Sequence, residues 1–137
     1  MSKREIYITD FDLERLNALM ADKKASGHDQ RYLHDLEEEL ADAKVVGSAE
    51  IPHNVITMNS KVRLEDLETG EEIVLSLAFP QDADIDEGRI SILAPIGTGM
   101  IGYKVGDAIT WDVPAGVRKL KVLEILYQPE AEGDYHL

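Results

Sequence analysis

The sequence contains three short patterns whose residue types do chemistry in other proteins. The first is Gly97-Thr98-Gly99-Met100-Ile101-Gly102, a literal G-x-G-x-x-G directly after a β-prone stretch. That spacing lets a dinucleotide-binding fold rest a pyrophosphate on a helix N-terminus. Such a fold also needs a crossover helix of about ten residues, then a parallel strand with an acid about 20 positions on. Here Pro95 intervenes before the first glycine, and Val105-Gly106-Asp107 closes the segment soon after the last. Val117 and Val122 stand where the acid belongs. The pattern reads instead as a tight helical turn laid closely on a sheet, where small residues permit close approach.

The second pattern, Asp82-Ala-Asp84-Ile-Asp86-Glu87-Gly88, resembles the start of a calcium loop. An EF-hand would put glycine at Glu87 and its bidentate glutamate at Leu93, and would flank the loop with helices rather than strands. A solvated acidic turn is the reading that remains. Third, His34 has Glu37 and Glu38 at helical spacing, which on an acidic helix is ordinary surface pairing. His28, His53 and His136 have no such neighbours, no G-x-S-x-G elbow or His-Glu-x-x-His occurs, and there are no cysteines. No catalytic set, metal site or cofactor is expected.

A different kind of cluster lies at Lys23, Lys24, His28, Asp29 and Arg31, a stretch of positive charge with a single acid on an otherwise acidic chain. Asp29 suits a helix cap and the lysines suit a helix C-terminus. Both also suit a tip that reaches into a partner, and the residues alone leave the two open. Over the whole chain acids outnumber bases 27 to 14, a formal charge of −13. Phosphates are repelled by such a surface, so autonomous nucleic-acid binding is not expected. With no membrane-length apolar run and no signal core, the expectation is a cytoplasmic protein, and with no separate oligomer seam in the sequence, a monomeric one.

The elements that must position these residues follow from periodicity. Residues 4–8 are β-prone, and Thr9 and Asp10 are two N-cap candidates. Leu13, Leu16 and Met20 then share one helical face, ending near Gly27. A second helix from Asp29 repeats the spacing with Leu33, Leu36, Leu40 and Ala43. Each seam is narrow, too narrow for a globular core, so residues 1–45 read as a short antiparallel helical hairpin of the coiled-coil type. Its arms would reach about 21 Å. Residues 46–60 read as a linker. Residues 61–137 read as an antiparallel sheet domain: strands at 61–67, 72–79, 89–94, 108–113 and 117–127, a short helix at 95–102, and a tail from Gln128 that is ordered only in part. The class is α+β.

Several strings resemble the C-terminal domain of the bacterial transcript-cleavage factors GreA and GreB: Val62-Arg-Leu-Glu-Asp-Leu-Glu-Thr-Gly-Glu-Glu, Ile90-Ser-Ile-Leu-Ala-Pro-Ile-Gly, Ile101-Gly-Tyr-Lys-Val-Gly-Asp, and Pro114-Ala-Gly-Val with Val122-Leu-Glu-Ile. The short hairpin, residues 52–60 and the tail 127–135 are similar to the Rnk branch of that family, named for regulation of nucleoside diphosphate kinase. The resemblance implies an FKBP-like sheet domain that docks on the rim of the RNA polymerase secondary channel and aims the hairpin inward. It places the docking contact just ahead of the short helix, at Leu93, Ala94, Pro95 and Ile96, where only the proline matches the cleavage factors. Those factors also carry two acids at the hairpin tip to help hold magnesium. Here Asp29 matches one, and Tyr32 stands where the other would be. The resemblance thus implies a regulator that competes with GreA and GreB without stimulating cleavage; the alternative is a cleavage-stimulating factor that uses Asp29.

Overall fold

A computed structural model describes residues 6–25, 30–41, 43–113 and 116–134. Strand β1 (Tyr7–Thr9) runs directly into helix α1 (Asp10–Ala25). Of the two cap candidates Thr9 fills the role: its Oγ1 accepts from the Asp12 N–H at 3.0 Å, while Asp10 and Asp12 place negative charge in the first turn. Helix α2 (Gln30–Ala41) follows, and its Leu33, Leu36 and Leu40 are buried at the spacing read from sequence. Strand β2 (Lys44–Val46) then pairs parallel with β1, Ile8 opposite Val45. Three residues are too few to show a period, so this strand was illegible at the boundary between the expected hairpin and linker.

The remaining strands form one sheet: β3 (Lys61–Asp66), β4 (Glu72–Ala78), β5 (Arg89–Ser91), β6 (Ala108–Val113) and β7 (Gly116–Tyr127), in the order β5-β4-β3-β7-β6. The expectation of a wholly antiparallel sheet needs correction, because β5 lies parallel to β4, Leu77 opposite Ile90. Two 3-10 turns, at Pro80–Asp82 and Ile85–Glu87, bring the chain back across the sheet end before β5 starts. The acidic stretch read as a solvated turn is that return, and residues 81–87 are exposed.

Strand β7 curls the sheet. Val62 faces Ile125 and Leu64 faces Val122, so two steps on β3 match three on β7, and a second shift lies between Lys61 and Val62. Each extra residue bends β7 and resets its side-chain phase. As a result Leu120 and Val122 are buried and Ile125 still packs on the core, whereas Leu126 is exposed.

The helices do not stand apart from this sheet. Leu16, Met20, Leu33, Leu36 and Leu40 belong to one buried cluster with Met58, Val62, Leu64, Leu77, Phe79, Met100, Ile101 and Val122. Seams too narrow to close a core on their own are completed by the sheet. Residues 46–60 contribute Ile51, Val55, Ile56, Thr57, Met58 and Ser60 to the interior. The shared core has a measurable consequence. Leu36→Ala, at a fully buried site, should lower stability by about 3 kcal/mol. Helical circular dichroism and tryptophan fluorescence should then lose their signals at one common urea midpoint. Separate midpoints would show that helices and sheet unfold independently.

Candidate docking surface and the hairpin base

The stretch ahead of the short helix is built from backbone constraints. After β5 the chain turns at Ile92, Leu93 and Ala94: Ser91 Oγ accepts from the Leu93 N–H at 3.1 Å, and the Ser91 carbonyl accepts from the Ala94 N–H at 3.0 Å. Helix α3 (Pro95–Met100) begins there with Ala94 extended at its N-cap. Proline suits this first turn because its fixed φ is helical and its missing N–H has no partner to lose. Thr98 is buried, and its hydroxyl donates to the Ile92 carbonyl at 2.7 Å, closing the turn on the helix.

The glycines set how closely α3 can lie. A Cβ at Gly97 would fall 2.0 Å from the Ser91 carbonyl oxygen, and one at Gly102 would fall 2.6 Å from Ile6 Cβ at a φ of +79°. The spacing that suggested a phosphate cradle is therefore filled by protein: Gly97 is pressed on β5 and Gly102 on the chain ahead of β1. Leu93, Ala94 and Ile96 are left half-buried, and α2 packs beside α3, so the second helix adjoins this corner.

The tip residues are placed only in part. Lys23 and Lys24 lie in the last turn of α1 and Arg31 in the first turn of α2; Lys23 is half-buried. His28 and Asp29 lie outside the described residues. On α2, His34 Nε2 sits 3.0 Å from Glu38 Oε1, both exposed, the surface pair expected from spacing. Among the described residues no group of three His, Asp or Glu side chains converges on a possible metal position. An open groove of about 530 Å³ between α1 and residues 79–82 is lined by Arg15, Leu19, Asn59, Phe79 and Asp82, with no hydroxyl, imidazole or amine.

The hairpin base holds a polar junction that the sequence did not announce. Asp12 is fully buried. One carboxylate oxygen accepts from the Met58 N–H at 3.0 Å, and the other accepts from Arg15 at 2.5 Å. Arg15 in turn lies over the Phe11 and Phe79 rings, 4.0 and 4.7 Å from their centres. Burial raises the Asp12 carboxyl to about 6, with the charge of Glu130 adding to the rise and the Met58 and Arg15 hydrogen bonds opposing it. Glu130 comes from the tail, where its Oε1 accepts from the Thr57 hydroxyl at 2.7 Å. Gln128 Nε2 donates to the carbonyls of Pro52 and Val55 at 2.9 and 2.7 Å. The tail was expected to be ordered only in part; Gln128, Pro129 and Glu130 are buried. Tyr127 donates to Asp134 Oδ2 at 2.5 Å, a bond that lifts its phenol to about 12. The Gln128 and Glu130 anchors are side-chain bonds to distant segments, and distant partners leave no period in the tail itself. For Asp12 one signal existed, since it falls four residues before Leu16 on the apolar stripe.

The comparisons agree along the whole chain. Residues 51–127 match the family model for the transcription elongation factor GreA/GreB C-terminal region, and residues 4–46 match the model of the Rnk N-terminus. A regulator of nucleoside diphosphate kinase from Escherichia coli is 40% identical, with all of both chains covered. A transcription elongation factor GreA from Sinorhizobium medicae is 32% identical over 83% of this chain and 72% of its own length. Among solved structures, a prokaryotic transcription elongation factor GreA/GreB from Nitrosomonas europaea is 39% identical. It superposes with a TM-score of 0.73 over 91% of this chain and 100% of that one. One family model over more than half of the chain, with a second ahead of it, shows that the chain belongs to the GreA/GreB family, in the branch that carries the Rnk N-terminus.

Proposed function

We propose that the chain is a non-enzymatic transcription regulator that binds RNA polymerase at its secondary channel, competes there with GreA and GreB, and does not stimulate transcript cleavage. The observation that carries this reading is a GreA/GreB-family sheet joined to a short hairpin. At 1.5 Å per residue the 16 residues of α1 extend about 24 Å and the 12 of α2 about 18 Å. Such arms suit the entrance of a channel better than a deep active centre. In this reading the sheet, with the FKBP-like kinship the family implies, is a platform without isomerase activity. Leu93, Ala94, Pro95 and Ile96 form the docking contact, with apolar packing in place of the polar contacts of the cleavage factors. Lys23, Lys24, His28, Asp29 and Arg31 form the tip at the channel mouth.

A net charge of −13 points to a protein partner rather than free nucleic acid. The chain works as a cytoplasmic monomer in two functional parts, the hairpin of residues 1–45 and the docking domain of residues 61–137, joined through residues 46–60. A pull-down with RNA polymerase tests the reading: the polymerase should be retained and then displaced by excess GreB. No retention, or retention indifferent to GreB, would overturn it.

A further inference from the structure

Eight polar or charged residues are buried among the described residues, and six of them meet at the hairpin base: Thr9, Asp12, Thr57, Ser60, Gln128 and Glu130. They come from three segments far apart in sequence. Asp12 belongs to the first turn of α1, Thr57 and Ser60 to the chain between the hairpin and β3, and Gln128 and Glu130 to the tail. The segment carrying Thr57 lies between the other two. Its Met58 N–H is held by Asp12 on one side, and its Thr57 hydroxyl by Glu130 on the other. The Ser60 hydroxyl braces it internally, 2.9 Å from both the Thr57 N–H and the Thr57 hydroxyl. Buried polar groups are costly unless paired, so losing one bond in such a network weakens the hold on its neighbours.

We propose that this junction is a latch: tail residues Gln128–Asp134 strap segment 51–60 against the first turn of α1 and thereby set the angle of the hairpin on the sheet. The tail closes upon itself to make the strap, through Tyr127 to Asp134 and through the Asp134 N–H, which donates to the Pro129 carbonyl at 2.8 Å. Its grip on segment 51–60 is Gln128 on two carbonyls and Glu130 on one hydroxyl. Apolar contacts between helices and sheet are non-directional, whereas hydrogen bonds fix a register. The latch therefore governs where the hairpin points.

The full-length chain provides the test. Gln128→Leu removes both carbonyl bonds and Thr57→Val removes the hydroxyl, each with little change in volume; Thr57→Ser keeps the hydroxyl and serves as the control. The chain has no cysteine, so Asp22→Cys and Glu68→Cys on exposed sites accept a unique pair of spin labels. Exchange of the Met58 amide should rise about tenfold in the Leu and Val variants. The label distance should broaden with it, while amides inside β3 and the Thr57→Ser variant stay as in the wild type. An unchanged Met58 amide with a single narrow distance would overturn the latch. So would Met58 and β3 amides accelerating in step, which would report global destabilisation instead.

Discussion

Gly97→Ala should destabilise the chain by about 3 kcal/mol or more, seen as a lower urea midpoint. The added Cβ would lie 2.0 Å from the carbonyl oxygen of Ser91 and 2.9 Å from its carbonyl carbon. Both are backbone atoms, so no side-chain rotation can relieve the overlap. Either α3 lifts from β5 or the Ser91 peptide moves. The second route breaks the bond from the Ala94 N–H and disturbs the bond from the Thr98 hydroxyl to Ile92. Gly99→Ala is the internal comparison. There the nearest atom is Ile109 Cγ2 at 3.0 Å, a side-chain methyl able to give way. A helix also favours alanine over glycine by about 1 kcal/mol. Gly99→Ala should therefore cost far less, and equal effects at the two positions would contradict the close-approach reading of the glycine pattern.

Asp12→Asn should change the pH dependence of stability by an amount on the order of 3 kcal/mol. Burial is the main cause of the rise of the Asp12 carboxyl from 3.8 to about 6. Between those values the folded chain holds a proton that the unfolded chain has released. Stability from this group is thus full below about pH 4 and lost as pH rises through about 6; a shift of about two units corresponds to about 3 kcal/mol. Asparagine keeps an acceptor for the Met58 N–H and does not titrate. Carboxylates that do not face Asp12 contribute equally in both proteins, so their contribution cancels in the difference between the two curves. From pH 7 to pH 4 the wild type should gain on Asp12→Asn by that amount, measured as unfolding free energy in urea at each pH. Parallel curves would show that Asp12 does not carry the shift.

Both predictions concern features that differed in how plainly the sequence displayed them. The close-packed glycines were legible because the competing function, a dinucleotide cradle, demands downstream partners that Val117 and Val122 do not supply. The two helices, the β3–β4 and β6–β7 hairpins and the position of α3 were legible from period and turn residues. They depend mostly on neighbours close in the chain. The parallel placement of β5 was not legible, because a three-residue strand has no direction of its own. The shifts on β7 were hidden for a related reason: Leu123 and Leu126 become extra residues only through the register of β3 opposite them.

The hairpin base was the least visible part. Asp12 and Glu130 look like two of 27 acids on a strongly negative chain, and only the fold buries them together. The candidate docking corner stands between these extremes. Its frame of Pro95 and Gly97 could be read from local residue types, whereas the Thr98 bond to the Ile92 carbonyl could not. Its neighbourhood could not, because the packing of α2 beside α3 joins segments more than 50 residues apart.

The proposed occupation of the polymerase channel without cleavage is measured most directly by transcript cleavage in a backtracked elongation complex. Added alone, the chain should leave cleavage at the intrinsic rate. Titrated against a fixed amount of GreB, it should reduce GreB-stimulated cleavage to that same rate at saturation. Stimulation by the chain alone would contradict the account, as would GreB activity that is unchanged at every concentration of the chain.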